Sequence, residues 1–351
     1  MLQRLLTSAA LTCALSASPL VASALAKDAP APSPTKRAWV IPALLAKAKK
    51  EGALTVYSST NEQEALPLWK LFTDATGIKV SYVRASDTQL LGRIGLEARA
   101  RQKTWDVFDS TAVEKLPASF LKTINPPEAK NIEPQARDPN HKWYGVYAIY
   151  NSPAYNTTKV KASELPKTYA GFLKHKEWAG HVAIDSTDNQ WLAAMFKYYG
   201  DARARKLIKS LVSTLKPVLV NGHLALARST GLGDYWISLN NFDNLTINVK
   251  LSGAPIDYWG MDPIALFYAE VGVASNAPHP NAALLAANFL LSKEAQTFIT
   301  KKGRIPVRKD VPPHPTNEVS KLGDRKVVAI HFTPAQQQKW LHTFNDLFKA
   351  H

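Results

Sequence analysis

Three short runs of hydroxyl, amide and acid side chains carry the chemistry this chain could do. They are Ser58-Ser59-Thr60-Asn61, Asp185-Ser186-Thr187-Asp188-Asn189-Gln190, and Asn240-Asn241-Phe242-Asp243. Each follows a β-favouring stretch, and the first two lead into helix-like stretches. A fourth pair, Ser110-Thr111, sits at the carboxyl end of another strand-like run. Hydroxyls beside the free N–H groups of a helix's first turn suit a carboxylate, phosphate or phosphonate oxygen. Asn, Gln and Asp in the same loops could read hydroxyl or amine groups on the same solute. Ser59, Thr60, Asn61, Ser110, Thr111, Thr187, Asp188, Asn189, Gln190, Asn240, Asn241 and Asp243 are therefore the candidate contacts. Tyr147 and Trp191 could stack on the solute. The competing role is structural: Ser59, Thr60, Asn61 and Asp188 are common N-cap types, and aromatics near a strand or helix start often fill a core.

Catalytic and metal patterns are missing. Gly-x-Ser-x-Gly, His-Glu-x-x-His and a cysteine nucleophile do not occur. The nine histidines show no ligand spacing. His279 lies between two prolines and reads as structural. His175 and His181 flank a turn. Gly231-Leu232-Gly233 has no phosphate-binding fingerprint around it, and Tyr198-Tyr199 falls at a helix end, where packing explains it. No catalysis, metal or cofactor is expected.

The elements that position these loops alternate between strand and helix. Leu54–Tyr57 reads as a strand, followed by an amphipathic helix with Ala65, Leu68, Trp69 and Phe72 on one face and Gly77 as its stop. Pro67 fits only if that helix begins near Glu64. Ile78–Val83 then reads as a strand, Thr88–Arg101 as a helix and Trp105–Phe108 as a strand. The middle repeats the style, with strand His181–Asp185, helices Gln190–Tyr199 and Ala202–Leu211, and strands Pro217–Val220, Tyr235–Leu239 and Ile256–Trp259. Helices Asn281–Leu291, Glu294–Lys302 and Pro334–Lys349 follow. This alternation predicts α/β lobes with mixed, mostly parallel sheets.

Residues 1–26 read as a cleaved secretory signal: Arg4, an apolar run, then Ala24-Leu25-Ala26. The only cysteine, Cys13, lies inside it, so the mature chain is expected to hold no disulfide. Lys27–Thr35 is Pro- and Ala-rich, and residues 27–52 read as a leader with a helix-like Pro42–Lys50. About 325 residues remain, more than one core usually supports, so two lobes are expected. Net charge is +15. The basic residues are interleaved with acids, which argues against nucleic acid. The positive field either steers an anion or only aids solubility.

The end of the chain carries Ala277-Pro278-His279-Pro280-Asn281-Ala282-Ala283, then Phe289-Leu290-Leu291-Ser292-Lys293-Glu294-Ala295-Gln296, then Gly303-Arg304-Ile305-Pro306-Val307-Arg308. With Leu54-Thr55-Val56-Tyr57, Thr76-Gly77-Ile78-Lys79-Val80, Trp105-Asp106-Val107-Phe108, Trp143-Tyr144-Gly145 and Trp178–Ile184 in order before it, the chain resembles periplasmic solute-binding proteins of ABC importers. The group it resembles includes the ferric-ion-binding proteins. The resemblance implies a type 2 binding-protein fold, two α/β lobes joined by two hinge crossings, with the ligand between them. It places the first lobe at about 53–148 and 267–317 and the second at about 149–266 and 318–351. It also implies a monomer in the periplasm that serves an inner-membrane permease and its ATPase, or a sensor kinase.

That family holds ferric iron with adjacent tyrosinates, and many members add a His and a Glu. At the matching positions this chain has Asn61 for the His, Thr111 for the Glu, and Asn240–Asn244 where the tyrosine pair would fall. The arginines some iron members carry after the Trp-x-Gly piece are replaced by Val146–Tyr150. In the family the turn matching Thr187–Gln190 cradles the anion that accompanies iron. The expected ligand is therefore a small anionic organic solute of phosphonate, phosphate-ester or carboxylate type. Ferric iron or an iron chelate is the alternative, and a periplasmic enzyme a remote one.

Overall fold

The computed structural model describes residues 37–315 and 319–348. The expected signal, Cys13 and the leader as far as Lys36 lie outside the described residues. The chain runs α1 (Pro42–Glu51), β1 (Ala53–Ser58), α2 (Glu62–Thr76), β2 (Lys79–Arg84), α3 (Asp87–Arg99), β3 (Val107–Ser110) and β4 (Trp143–Asn156). It continues through β5 (Val182–Asp185), α4 (Asn189–Tyr199), α5 (Asp201–Leu215), β6 (Val218–Val220), α6 (His223–Leu232), β7 (Ile237–Phe242), α7 (Asp243–Leu251) and β8 (Ile256–Tyr258). The last elements are β9 (Ile264–Val273), α8 (Pro280–Leu290), α9 (Lys293–Thr300), β10 (Ile305–Pro306), β11 (Val327–Ala329) and α10 (Pro334–Phe348).

The strand order β2-β1-β3-β9-β4-β7-β5-β6 explains the two-lobed α/β form. β2, β1 and β3 are parallel, as are β7, β5 and β6. Between these two units lies the antiparallel pair β9 and β4. β4 pairs with β9 from Trp143 to Asn151, then with β7 and β8 as far as Asn156. These two long strands are the elements that run from one lobe into the other. All ten residues of β9 are buried, so it shows no alternation of polar and apolar side chains.

Apolar periodicity builds a separate core on each side. In the first lobe α2 turns Ala65, Leu68, Trp69, Phe72 and Ala75 inward. Trp39, Trp69, Phe72 and Phe289 interlock there with ring centroids 4.8 to 6.1 Å apart. Truncating one such ring costs about 3–5 kcal/mol. In the second lobe Tyr169, Phe172, Trp178, Trp191, Met195 and Leu211 gather with Phe344 and Leu347 of α10.

Two local readings differ from expectation. Residues 37–52 are packed: Trp39 is 2% exposed, and Asn288 Nδ2 donates to its carbonyl. The Glu51 carboxylate accepts from the Asn281 and Ala282 amides, holding the first turn of α8. This segment belongs to the first lobe because its apolar face completes that core. α2 begins at Glu62, so Pro67 lies inside the helix. The missing N–H costs one helical bond, which burial of the apolar face offsets.

Candidate functional site

The parallel strands of both units end at the same place, and the helices that follow begin there. The result is a cleft of about 520 Å³. Its first wall carries Ser59, Thr60 and Asn61 after β1, Arg84, Ser86 and Asp87 after β2, and Thr111 and Lys115 after β3. Tyr147 of β4 and Arg304 complete that side. The opposite wall carries Thr187, Asp188, Asn189 and Gln190 after β5, and Asn221, Gly222 and His223 after β6.

The first wall is tied together beneath its surface. Ser59 Oγ donates to Ser110 Oγ at 3.3 Å, and Ser110 Oγ donates to Asp87 Oδ1 at 2.5 Å. Thr111 Oγ1 bonds the other Asp87 oxygen. Thr60 Oγ1 lies 3.5 Å from the Tyr147 hydroxyl, and the Tyr82 hydroxyl donates to the Thr60 carbonyl at 2.6 Å. Arg84 Nη2 reaches Asn61 Oδ1 at 3.4 Å. Asn61 stands at the N-cap of α2, yet its side chain caps nothing; its carbonyl takes the Glu64 N–H, which leaves those of Glu62 and Gln63 without a side-chain cap.

The second wall is organised by Asp188. One carboxylate oxygen caps α4 by accepting from the Trp191 amide at 2.9 Å. The other accepts from Asn240 Nδ2 at 3.0 Å and from Asn151 Nδ2. His223 Nε2 sits 3.7 Å from that oxygen and 3.8 Å from Asp185 Oδ1. Its ring stacks on Phe242 with centroids 3.5 Å apart. Burial pushes the Asp188 carboxyl up to about 6, against the pull of His223 and the Trp191 amide. α6 follows Gly222 with no side-chain cap, a second first turn whose N–H groups face the cleft region uncapped.

The candidates named from sequence thus divide. Ser59, Thr60, Asn61, Thr111, Tyr147, Thr187, Asp188, Asn189 and Gln190 line the cleft. Ser110, Asn240, Asn241 and Asp243 lie behind it, each 1% exposed or less. Asn240 Oδ1 accepts from the Asp185 amide, Asn241 Nδ2 donates to Thr246 Oγ1, and Asp243 Oδ1 accepts from the Tyr150 and Asn244 amides. Both faces of β7 are covered, so these side chains brace the loops instead of forming the wall. Trp191 is fully buried and donates to the Tyr169 hydroxyl at 2.8 Å, a core role.

Sequence reasoning missed Arg84, Lys115, Asn221, Gly222, His223 and Arg304. Asn221-Gly222 follow the strand-to-helix grammar that exposed the other loops. Arg304 belongs to the late Gly303–Arg308 signature, which gives no sign that it lines the cleft. It is 6% exposed, donates from Nε to Glu64 at 2.7 Å, and stands over Tyr147.

The side-chain oxygens on the cleft walls are hydroxyls, amides, the Tyr147 phenol and the Asp87 and Asp188 carboxylates. Among the described residues no group of three or more His, Cys, Asp or Glu is arranged to hold a metal. Burial pushes the Tyr147 phenol up to about 12, despite Arg304 nearby. The Tyr82 phenol is raised too, by burial and by Asp109. Both remain protonated donors at neutral pH. No helix among the described residues is long and apolar enough to cross a membrane.

Two α/β lobes whose strand ends and helix first turns face each other across a cleft define a solute-receiving protein. The chain belongs to the bacterial extracellular solute-binding protein family, whose model matches residues 105–328. It is 27% identical over 271 residues to the major ferric iron-binding protein of Neisseria meningitidis, covering 70% of this chain and 78% of that one. It is 30% identical over 288 residues to a putative 2-aminoethylphosphonate-binding periplasmic protein of Salmonella typhimurium, covering 75% and 81%. Its fold matches the periplasmic binding protein AfuA of Actinobacillus pleuropneumoniae, solved with fructose-6-phosphate bound. That match has a TM-score of 0.71 and 19% identity, over 86% of this chain and 99% of the other.

Proposed function

We propose that this protein is the periplasmic receptor of an ABC importer and captures a small anionic organic solute of phosphonate, phosphate-ester or carboxylate type. The observation that carries this reading is the convergence on one cleft of the uncapped first turn of α6 and the N-cap loop of α2 with Arg84, Lys115 and Arg304. Backbone N–H groups and cations are the chemistry of an oxyanion site. Thr60, Thr111, Thr187, Asn189 and Gln190 would read the rest of the solute. Capture requires no covalent change. The lobes, taken as 53–148 with 267–317 and 149–266 with 318–351, would close about β4 and β9 and present the loaded monomer to a permease and its ATPase.

Ferric iron is the competing cargo, favoured by the name of the Neisseria relative. It needs several anionic oxygen donors, whereas the cleft offers phenols, amides and hydroxyls beside cations, and its two carboxylates, Asp87 and Asp188, are already engaged by Ser110, Thr111, the Trp191 amide, Asn151 and Asn240. A thermal-shift screen of phosphonates, sugar phosphates, carboxylates and ferric salts tests the reading. A true ligand at about a hundredfold excess over its Kd adds about 2.7 kcal/mol. A shift with ferric salts alone would overturn the proposal.

A further inference from the structure

Beside the cleft lies a second chamber of about 600 Å³. Leu91, Gly95 and Ala98 of α3 form one side of it, and Leu116, Pro117 and Phe120 form another. Gln337 and the exposed Gln338 of α10 border it, as does Arg99 of α3. Thr88, Lys115 and Gln337 line both this chamber and the cleft, so the two spaces meet at a neck.

Lys115 stands at that neck. It is 7% exposed; its backbone N–H donates to the Ala112 carbonyl at 3.1 Å, and its ammonium makes no hydrogen bond or salt bridge among the described residues. Lining both spaces, its ammonium is placed to meet an anion that enters from the cleft. The acid that acts on it, Glu270, is itself buried, and burial and Glu114 hold its carboxyl well above the usual carboxylate range. Beyond the neck the wall is largely apolar, with Arg99 and Gln338 as its polar members. Gly95 leaves it recessed: a Cβ there would meet nothing nearer than Arg99 Nη1 at 3.9 Å. A glycine inside a helix is unfavourable without such a reason.

We propose that the solute is amphipathic: Lys115 grips its anionic head at the neck, and an apolar arm extends from that head into the chamber along α3. This rests on the anion-receptor reading of the cleft. An apolar arm buried there gains about fourfold in affinity per methylene.

Calorimetric titration of the full chain with methyl-, butyl- and hexylphosphonate tests it. The expected result is affinity rising at least tenfold from methyl to hexyl. Gly95→Leu, which fills the chamber, should erase that gain and leave methylphosphonate binding unchanged. Lys115→Met should weaken all three equally. Ala98→Leu is a second filling variant, and a melting scan of each confirms folding. Equal affinity for methyl and hexyl, or a length gain that survives both filling variants, would overturn the arm while leaving the cleft reading intact. Binding of none of the phosphonates would overturn the arm, and the cleft reading falls with it only if sugar phosphates and carboxylates also fail to bind.

Discussion

The guanidinium carbon of Arg304 lies 4.6 Å from the centre of the Tyr147 ring. The contact joins the late turn before β10 to the crossing strand β4, and Glu64 of α2 completes it through the 2.7 Å bond to Arg304. Arg304 and Glu64 are both buried at their heads, with side chains 7% and 11% exposed. Removing one partner of such a pair strands the other charge. Arg304→Ala should destabilise the chain by about 3–5 kcal/mol in urea unfolding. The Arg304→Ala/Glu64→Ala double variant should recover much of that loss. Equal midpoints for the Arg304 variant and the wild type would mean the pair is not coupled to folding.

Asp188 has one oxygen on the α4 cap and the other on two buried amides. Asp188→Ala loses the cap and orphans Asn151 and Asn240, at a cost of about 2–4 kcal/mol. Denaturant midpoints should show it. A loss under 0.5 kcal/mol, roughly that of a neutral surface change, would contradict the bracing role.

The carboxyl of Asp109 is pushed up to about 6 by burial, above the ordinary 3.8. The folded chain therefore holds this proton more tightly than the unfolded chain, and its contribution to stability declines as pH rises from about 4 through about 6. Asp109→Asn removes that decline. The variant should match the wild type near pH 4 and exceed it at pH 7.5 by up to about 3 kcal/mol. Parallel urea curves at the two pH values would show whether the difference opens with pH.

Asn221 is exposed just before the uncapped start of α6. Asn221→Asp puts a negative charge where the helix dipole welcomes it but an anionic solute does not. Stability should hold or rise by about 0.3–1 kcal/mol. Solute affinity should fall at least tenfold, and the fall should shrink in high salt. Undiminished affinity would place the anion elsewhere.

Much of the frame was readable because helix starts and stops are local chemistry. Ser86 caps α3 with a reciprocal bond to Gln89, Asp188 caps α4, and Gly77 ends α2 at φ 76°, where a side chain would be strained. Ends therefore fell within a few residues of expectation. The crossing strands were harder. Ile264–Val273 is buried throughout, and a continuous apolar run does not declare its element. α6 was missed because His223–Leu232 has a weak apolar stripe.

The site was legible as loops but not as side-chain directions. Asn240, Asn241 and Asp243 follow a strand as the anion loops do, yet tertiary packing turns them inward. Lys115 and Arg304 look like any other basic residues in a chain of net charge +15. Only the fold shows that they are buried against the cleft.

The most direct test of the organic-anion claim is competitive. The protein is equilibrated with a mixture of phosphonates, sugar phosphates, carboxylates and ferric citrate, separated from free solute, and denatured. Mass spectrometry then identifies the released organic solute, and atomic emission measures iron. The account predicts a stoichiometric organic oxyanion and only trace iron. Stoichiometric iron, with a visible tyrosinate absorption band and no retained oxyanion, would contradict it.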